Sequence, residues 1–309
     1  MTQTLRPVTA RQERSGVHRA RITAISLIAG LAVAVLWSAQ LVDDDIGVNV
    51  VNGVLGHDAA GTSLSGTLTG LVFAFVIGVA GTFTACNVAV FAAIAPVVRD
   101  RGTVSGRLRQ AIRPLGWVAV GALVTAGLYG AIGASLGSRI PQLSKATVGA
   151  HHFPVRLLQS VTVFGLIGLI MLYLGAAALY ALPDPLTRLS ARWAPAQQVF
   201  MGVLIGCFLI GRPWPLFHTM FAHAAATHNA LFGAAAFVLV VAGNMVLMAV
   251  LLLVLAMSRF PRWLVGKPGR MVTTTAAAWL VGGSFTFVYW AIRLPAKFGF
   301  GWFPTMPWH

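Results

Sequence analysis

Seven apolar stretches dominate the pattern of hydrophobic and polar positions along the chain. They cover residues 22–42, 67–98, 114–137, 157–182, 198–222, 229–257 and 271–293. Each has at least about the 20 residues that a helix needs to cross the hydrocarbon core of a bilayer. The pattern predicts an all-α, polytopic membrane protein with about seven transmembrane helices in a lipid bilayer.

Composition and charge agree with this prediction. The chain is 57% hydrophobic and 9% charged, with a mean hydropathy of +0.80, whereas soluble domains have about 25% charged residues. The net charge of +15 lies mostly in short connections, which argues against a nucleic-acid partner. Of the 22 Lys and Arg residues, sixteen fall on one side of the predicted spans and five on the other. This bias predicts a multi-pass protein of the plasma (inner) membrane, with the N-terminus cytosolic and the C-terminus outside.

The connections divide the chain into regions. Residues 1–21 are predicted to be a disordered, basic, cytosolic tail. Residues 22–42 are predicted to be a retained N-terminal anchor, with cleavage after the Ser38–Gln40 region as the alternative. The segment 43–66 has four aspartates and no basic residue, which is typical of an outer loop. Residues 67–293 hold the six remaining spans, and residues 294–309 are predicted to be an external tail rich in aromatic residues.

Polar residues interrupt two of the spans. The second span contains Thr82, Thr84, Cys86 and Asn87, and the fifth contains Cys207, Arg212, Pro213 and Pro215. An arginine in hydrocarbon is costly, and each proline removes a backbone hydrogen bond and breaks the helix. The fifth span is therefore the primary candidate for a functional site.

The two interrupted spans each begin a group of three spans. Because three is odd, the groups have opposite orientations, which predicts a 3+3 inverted-repeat core with two broken helices. An offset of 125 residues aligns segment 81–83 (GTF) with segment 206–208 (GCF). Inverted-repeat transporters place their sites near the middle of the bilayer at such broken helices.

At these two segments the chain resembles the family of the cytochrome c biogenesis protein CcdA and the membrane domain of the disulfide reductase DsbD. That family has a cysteine in a proline-flanked motif, T-P-C-x-x-P, in the first helix of each half. Segment 81–89 (GTFTACNVA) resembles the first motif with alanine in place of both prolines. Segment 211–216 (GRPWPL) resembles the second motif without its cysteine, and Cys207 lies about one helical turn before that position.

The resemblance implies a transmembrane thiol–disulfide oxidoreductase. Cys86 and Cys207 would be the catalytic pair, passing electrons from cytosolic thioredoxin to an extracytoplasmic thioredoxin-like protein without a bound cofactor. Packing is the alternative for both cysteines, because a free cysteine often behaves as a small buried hydrophobe. Arg212 would favour the thiolate form; its alternative role is to pair with Asn87 or with backbone carbonyls that the helix break releases.

Two other functions stay open. One is a small-solute or metal-ion transporter on the same repeat, with Arg212 binding an anion or with His218, His223 and His228 receiving a metal at the outer mouth. The spacing of these histidines does not put them on one helical face, so solvated loop histidines are the alternative. The other function is a non-catalytic scaffold subunit.

Overall fold

The structure is a computed structural model. It describes residues 8–38, 40–59, 64, 66–81, 104–144, 154–180, 182–258, 269–304 and 306. Within these ranges the chain is largely helical and has no strand, as the sequence predicts.

The elements follow in chain order. They are α1 (Val8–Leu36), a π-helix (Gln40–Val48), α2 (Asn49–Leu55), α3 (Thr67–Ala80), α4 (Val104–Leu136), 3₁₀ turns (Gly137–Arg139 and Pro141–Leu143), α5 (Val155–Tyr180), α6 (Pro185–Arg192), α7 (Ala196–Cys207), α8 (Pro215–Ala226), α9 (Ala230–Met257), α10 (Arg270–Phe287), a second π-helix (Val288–Arg293) and α11 (Leu294–Lys297).

Five helical stretches among the described residues are long and apolar enough to cross a membrane. They are Gly16–Leu36, Ile112–Arg139, Val155–Tyr180, Ala230–Leu251 and Arg270–Lys297. Two shorter apolar helices, α3 and α7, lie where the sequence places the two interrupted spans. The prediction of a multi-pass helical membrane protein is confirmed.

Two pairs of helices form the core of the bundle. Helix α4 packs along α9, and α5 packs along α10. Helix α3 packs against α9, and helix α7 packs against α4. Glycines at these contacts bring backbones close together: Gly130 of α4 and Gly233 of α9 face each other with no room for a Cβ on either. Small residues are typical of such close packing between membrane helices.

Helix α1 lies outside this core, against α10. Ser284 donates a hydrogen bond to the carbonyl oxygen of Leu27 (3.1 Å). Arg293 donates to the carbonyl oxygens of Ala34 (2.6 Å) and Trp37 (2.7 Å). The anchor is thus bonded to the last span along its length.

Helix α1 also begins earlier than predicted, at Val8. Residues 8–21, expected to be a disordered tail, are therefore helical. Once a helix has formed in the apolar span, each added residue gains a hydrogen bond, so the helix extends at little cost into polar sequence.

The segment 43–66 differs most from its prediction as a simple outer loop. Residues 43–55 of this segment form the end of the π-helix and the whole of α2. Val51 and Ala59 are buried in the hydrophobic core. Asn52 accepts a hydrogen bond from the backbone N–H of Ala59 (2.8 Å), which closes the turn after α2. The apolar residues that accompany the aspartates therefore make residues 43–59 part of the folded structure.

Candidate functional site

The predicted break in the fifth span lies between α7 and α8. Helix α7 ends at Cys207, and α8 begins at Pro215. A tight turn follows Cys207, in which the backbone N–H of Ile210 donates to the carbonyl of Cys207 (3.0 Å). Gly211 then takes a left-handed conformation, with φ of +86°. A Cβ at Gly211 would also lie 3.0 Å from the backbone of Ser160, so glycine fits this position for two reasons.

Arg212 is the charged residue of this break, and it is 8% exposed. Its Nη2 donates to the carbonyl oxygen of Gly81 (3.5 Å), the residue that caps the carboxyl end of α3. Its guanidinium carbon lies 4.9 Å from the ring centroid of Trp214 and 5.8 Å from that of Phe217. A cation is favourable at the negative end of a helix dipole and over an aromatic face. The contact with a backbone carbonyl is one of the two structural roles that the sequence left open for this arginine.

The backbone of the break is paired by polar side chains from elsewhere in the chain. Gln142, which is 3% exposed, accepts from the N–H of Gly211 (3.1 Å) and donates to the carbonyl of Arg212 (3.1 Å). Ser160 donates to the carbonyl of Gly211. Because buried backbone groups need partners, these two side chains stabilise the interruption of the helix.

A second layer of hydrogen bonds holds Gln142 in place. Tyr129 donates to the Oε1 atom of Gln142, and Gln159 donates to the hydroxyl of Tyr129 (3.2 Å). The network joins α4, the turn Pro141–Leu143 and α5 to the break. The break is therefore a defined structure supported by three other parts of the fold.

The π-helix Gln40–Val48 covers the break, and we call it the cover. Trp214 is 3% exposed, and its Nε1 donates to the carbonyl oxygen of Asp43 (3.1 Å). A Cβ on Gly47 would lie 3.1 Å from the indole of Trp214. π-Helical segments are rare in proteins, and those that occur often lie at functional sites. The cover connects the first loop of the chain to the candidate site.

Cys207 is half-buried and packs beside the hydrophobic core as a free thiol. The preceding residue, Gly206, packs closely against Thr125 of α4. The thiol-bearing residue is thus the last one of a helix that ends within the span.

Four predicted site residues lie outside the described residues: Thr82, Thr84, Cys86 and Asn87. The described chain reaches Gly81, which contacts Arg212. The pairing of Cys86 with Cys207, and that of Asn87 with Arg212, stay predictions.

The three histidines occupy different surroundings. His223 packs edge-on against Phe232, with ring centroids 5.6 Å apart. His228 is exposed, with a φ of +50°, and His218 is half-buried in α8. In the part of the chain that the structure describes, no three His, Cys, Asp or Glu residues group closely enough to hold a metal ion.

The sequence did not identify Tyr129, Gln142, Gln159 or Ser160 as site residues. Gln142 lies in the connection between the apolar stretches 114–137 and 157–182, which the hydropathy pattern predicts as an outer loop. A signal was present, since Gln142 stands between the apolar residues Ile140 and Leu143. Ile140 is in fact 5% exposed.

Comparison with known proteins finds no family model that matches the chain, no similar curated protein and no similar solved structure.

Proposed function

We propose that the protein is a transmembrane thiol–disulfide electron carrier of the CcdA type. Cys86 and Cys207 would carry electrons from cytosolic thioredoxin to an extracytoplasmic thioredoxin-like protein. The observation that carries this proposal is the position of Cys207, which ends α7 within the fifth span, at the start of a break that also holds the buried Arg212.

The helix packing supports seven spans with an inverted repeat. If α3, α4 and α5 correspond to α7, α9 and α10, the contact of α3 with α9 corresponds to the contact of α7 with α4. Both contacts use glycines in the same manner, because Gly78 meets the carbonyl of Val240 and Gly202 meets the carbonyl of Val118. Gly78 and Gly202 are separated by nearly the offset that aligns the two interrupted spans.

The chemistry is thiol–disulfide exchange. A thiolate of reduced thioredoxin attacks one sulfur of the Cys86–Cys207 disulfide, forming a mixed disulfide and releasing the other sulfur as a thiolate. The second thioredoxin thiolate then breaks the mixed disulfide, so that both membrane cysteines are reduced and thioredoxin is oxidised. The reduced membrane cysteines then attack the disulfide of the outer partner by the same two steps. The membrane disulfide forms again, and the partner's two thiols receive the two electrons and two protons.

Arg212 and the cover have distinct roles in this proposal. A nearby cation favours the thiolate that exchange requires, and Arg212 lies five residues after Cys207 on the same broken span. The outer partner reaches the site when the cover moves away from Trp214. The hydrogen bond of Trp214 to Asp43 keeps the site closed between these encounters.

The test is electron transfer in proteoliposomes that contain the full-length protein, with reduced thioredoxin on one side and an oxidised thioredoxin-like acceptor on the other. The proposal predicts acceptor reduction that Cys86→Ser or Cys207→Ser abolishes. A matched control is the double variant Cys207→Ser with Ser135→Cys, which keeps two thiols but moves one to an exposed position on α4. Transfer by the control, or by either single variant, contradicts the proposal.

A second candidate is a transporter of small anions, favoured by the burial of Arg212 beside two helix ends. Transporters of this architecture bind solutes at such interruptions. This candidate predicts anion uptake that Arg212→Met abolishes and that Cys86→Ser and Cys207→Ser together leave unchanged. Loss of uptake in the double cysteine variant contradicts it.

A further inference from the structure

Exposed tryptophans and arginines come together at the ends of the helices that lead into the broken span. Trp117 of α4 and Trp193, which follows α6, meet edge to face with ring centroids 6.0 Å apart. We call the surrounding surface the basic tryptophan patch. Its members are Arg113, Trp117, Arg188, Leu189, Arg192 and Trp193.

Helix α6 has one apolar side and one cationic side. Leu186 and Leu189 are three residues apart, Arg188 and Arg192 are four residues apart, and Trp193 directly follows the helix. Residues at these spacings share one side of a helix. Leu186 is buried against the protein, whereas Leu189 is 49% exposed and Trp193 is 46% exposed. The apolar side thus extends beyond the protein surface.

The position of the patch is that of a membrane–water interface. Trp117 lies five residues into the membrane-capable stretch that begins at Ile112. Trp193 lies three residues before the apolar helix α7 begins. Tryptophan is enriched at this depth, because its ring is apolar and its N–H is polar.

Among the described residues, no carboxylate forms an ion pair with the arginines of the patch. Arg113, Arg188 and Arg192 are exposed, and their guanidinium groups have no hydrogen bond or ion pair within the described chain. Asp184, the nearest carboxylate in sequence, accepts from the N–H of Leu186 (2.9 Å) and caps α6. An amphipathic helix with apolar residues on one side and arginines on the other is suited to the headgroup region of a bilayer with anionic lipids.

We infer that the basic tryptophan patch binds the headgroup of an anionic phospholipid. The arginines contact the phosphates, and Leu189, Trp117 and Trp193 contact the start of the acyl chains. The bound lipid holds α6 at the interface, and α6 is the short connection between α5 and α7. This inference is independent of the proposed electron transfer.

The test measures lipid binding to the purified full-length protein in a neutral detergent by native mass spectrometry and by the midpoint of thermal unfolding. Phosphatidylglycerol is compared with phosphatidylcholine. We expect tighter binding of phosphatidylglycerol, and we expect the double variant Arg188→Gln with Arg192→Gln to weaken it on the order of 30-fold. The preference should decrease as salt concentration rises, because the groups involved are exposed.

The matched control removes two exposed charges elsewhere, Arg139→Gln with Lys297→Gln, and should retain the binding of wild type. If the double arginine variant does not fold, Arg113→Gln provides the same comparison with a smaller expected loss. Equal binding of the two lipids, equal binding by variant and wild type, or a thermal shift reproduced by inorganic phosphate or by a poly-glutamate peptide would overturn the inference.

Discussion

Two arginines in this protein have the same local chemistry at two different places. Arg212 and Arg293 each donate to a carbonyl at the carboxyl end of a membrane helix, α3 and α1 respectively. Each also lies over an aromatic ring, that of Trp214 at 4.9 Å and that of Tyr289 at 5.0 Å. Both satisfy the requirement that a cation among apolar helices be paired with backbone or with a π-system.

Their surroundings differ. Arg293 makes two short hydrogen bonds that join the peripheral helix α1 to the last span. Arg212 is more deeply buried and lies in an interrupted helix, five residues after Cys207 and beneath the cover. A membrane-embedded arginine is therefore not by itself a mark of function. The combination of the charge with a thiol and a helix break distinguishes Arg212 from Arg293.

The largest expected effect comes from removing each charge in turn. Arg212→Met should lower electron transfer in proteoliposomes on the order of 100-fold, since Arg212 contacts Gly81, five residues before Cys86, and a cation close to a thiol increases the reactive thiolate population. Arg293→Met should leave transfer per folded molecule close to that of wild type. Equal losses in the two variants would show that both arginines are structural.

For the attachment of α1, we expect the substitution of Arg293 to have the larger effect and that of Arg212 the smaller one. Arg293→Met removes two charge-assisted hydrogen bonds and should lower the free energy of unfolding by about 2–4 kcal/mol. Hydrogen exchange should increase in α1, and Arg293→Lys should restore part of the protection. Unchanged exchange in α1 would contradict the role of Arg293 as its attachment.

Two glycines provide a finer comparison. A Cβ on Gly30 would lie 2.6 Å from the carbonyl oxygen of Val281, whereas a Cβ on Gly81 would lie 2.5 Å from Nη2 of Arg212. Backbone yields less readily than the end of a long side chain. Gly30→Ala should therefore destabilise by about 1–3 kcal/mol without changing transfer per folded molecule. Gly81→Ala should slow transfer with a smaller loss of stability, as measured by thermal unfolding and by acceptor reduction.

The smallest expected effect concerns the cover. Gly47→Ala places a methyl group against Trp214 and should loosen the cover, so that a membrane-impermeant maleimide labels Cys207 several times faster. Gly53→Ala is the control, because a Cβ there meets nothing within 4 Å. Equal labelling rates in the two variants would argue against gating by the cover.

The long apolar spans were predictable because hydrophobic length alone determines them, and α5 and α9 lie within two residues of their predicted ends. The break at Arg212 and Pro213 was also predictable, since proline and charge are local signals. The position of the cover over the break and the hydrogen bonds of Gln142 to the break could not be predicted, because both depend on contacts with residues far away in the sequence. The charged residues Asp43, in the cover, and Arg139, next to the turn with Gln142, favoured solvent-exposed loops, although the neighbouring apolar residues pack inward.

The most direct test of the central claim is the redox state of the two cysteines in native membranes. Alkylation before and after treatment with a reductant, read by mass spectrometry, reports each thiol separately. A carrier predicts that Cys86 and Cys207 are protected together in oxidised membranes, are recovered there as a linked peptide, and become reactive in equal amounts after reduction. Full alkylation of both cysteines before reduction, with no linked peptide, would contradict the electron-carrier account.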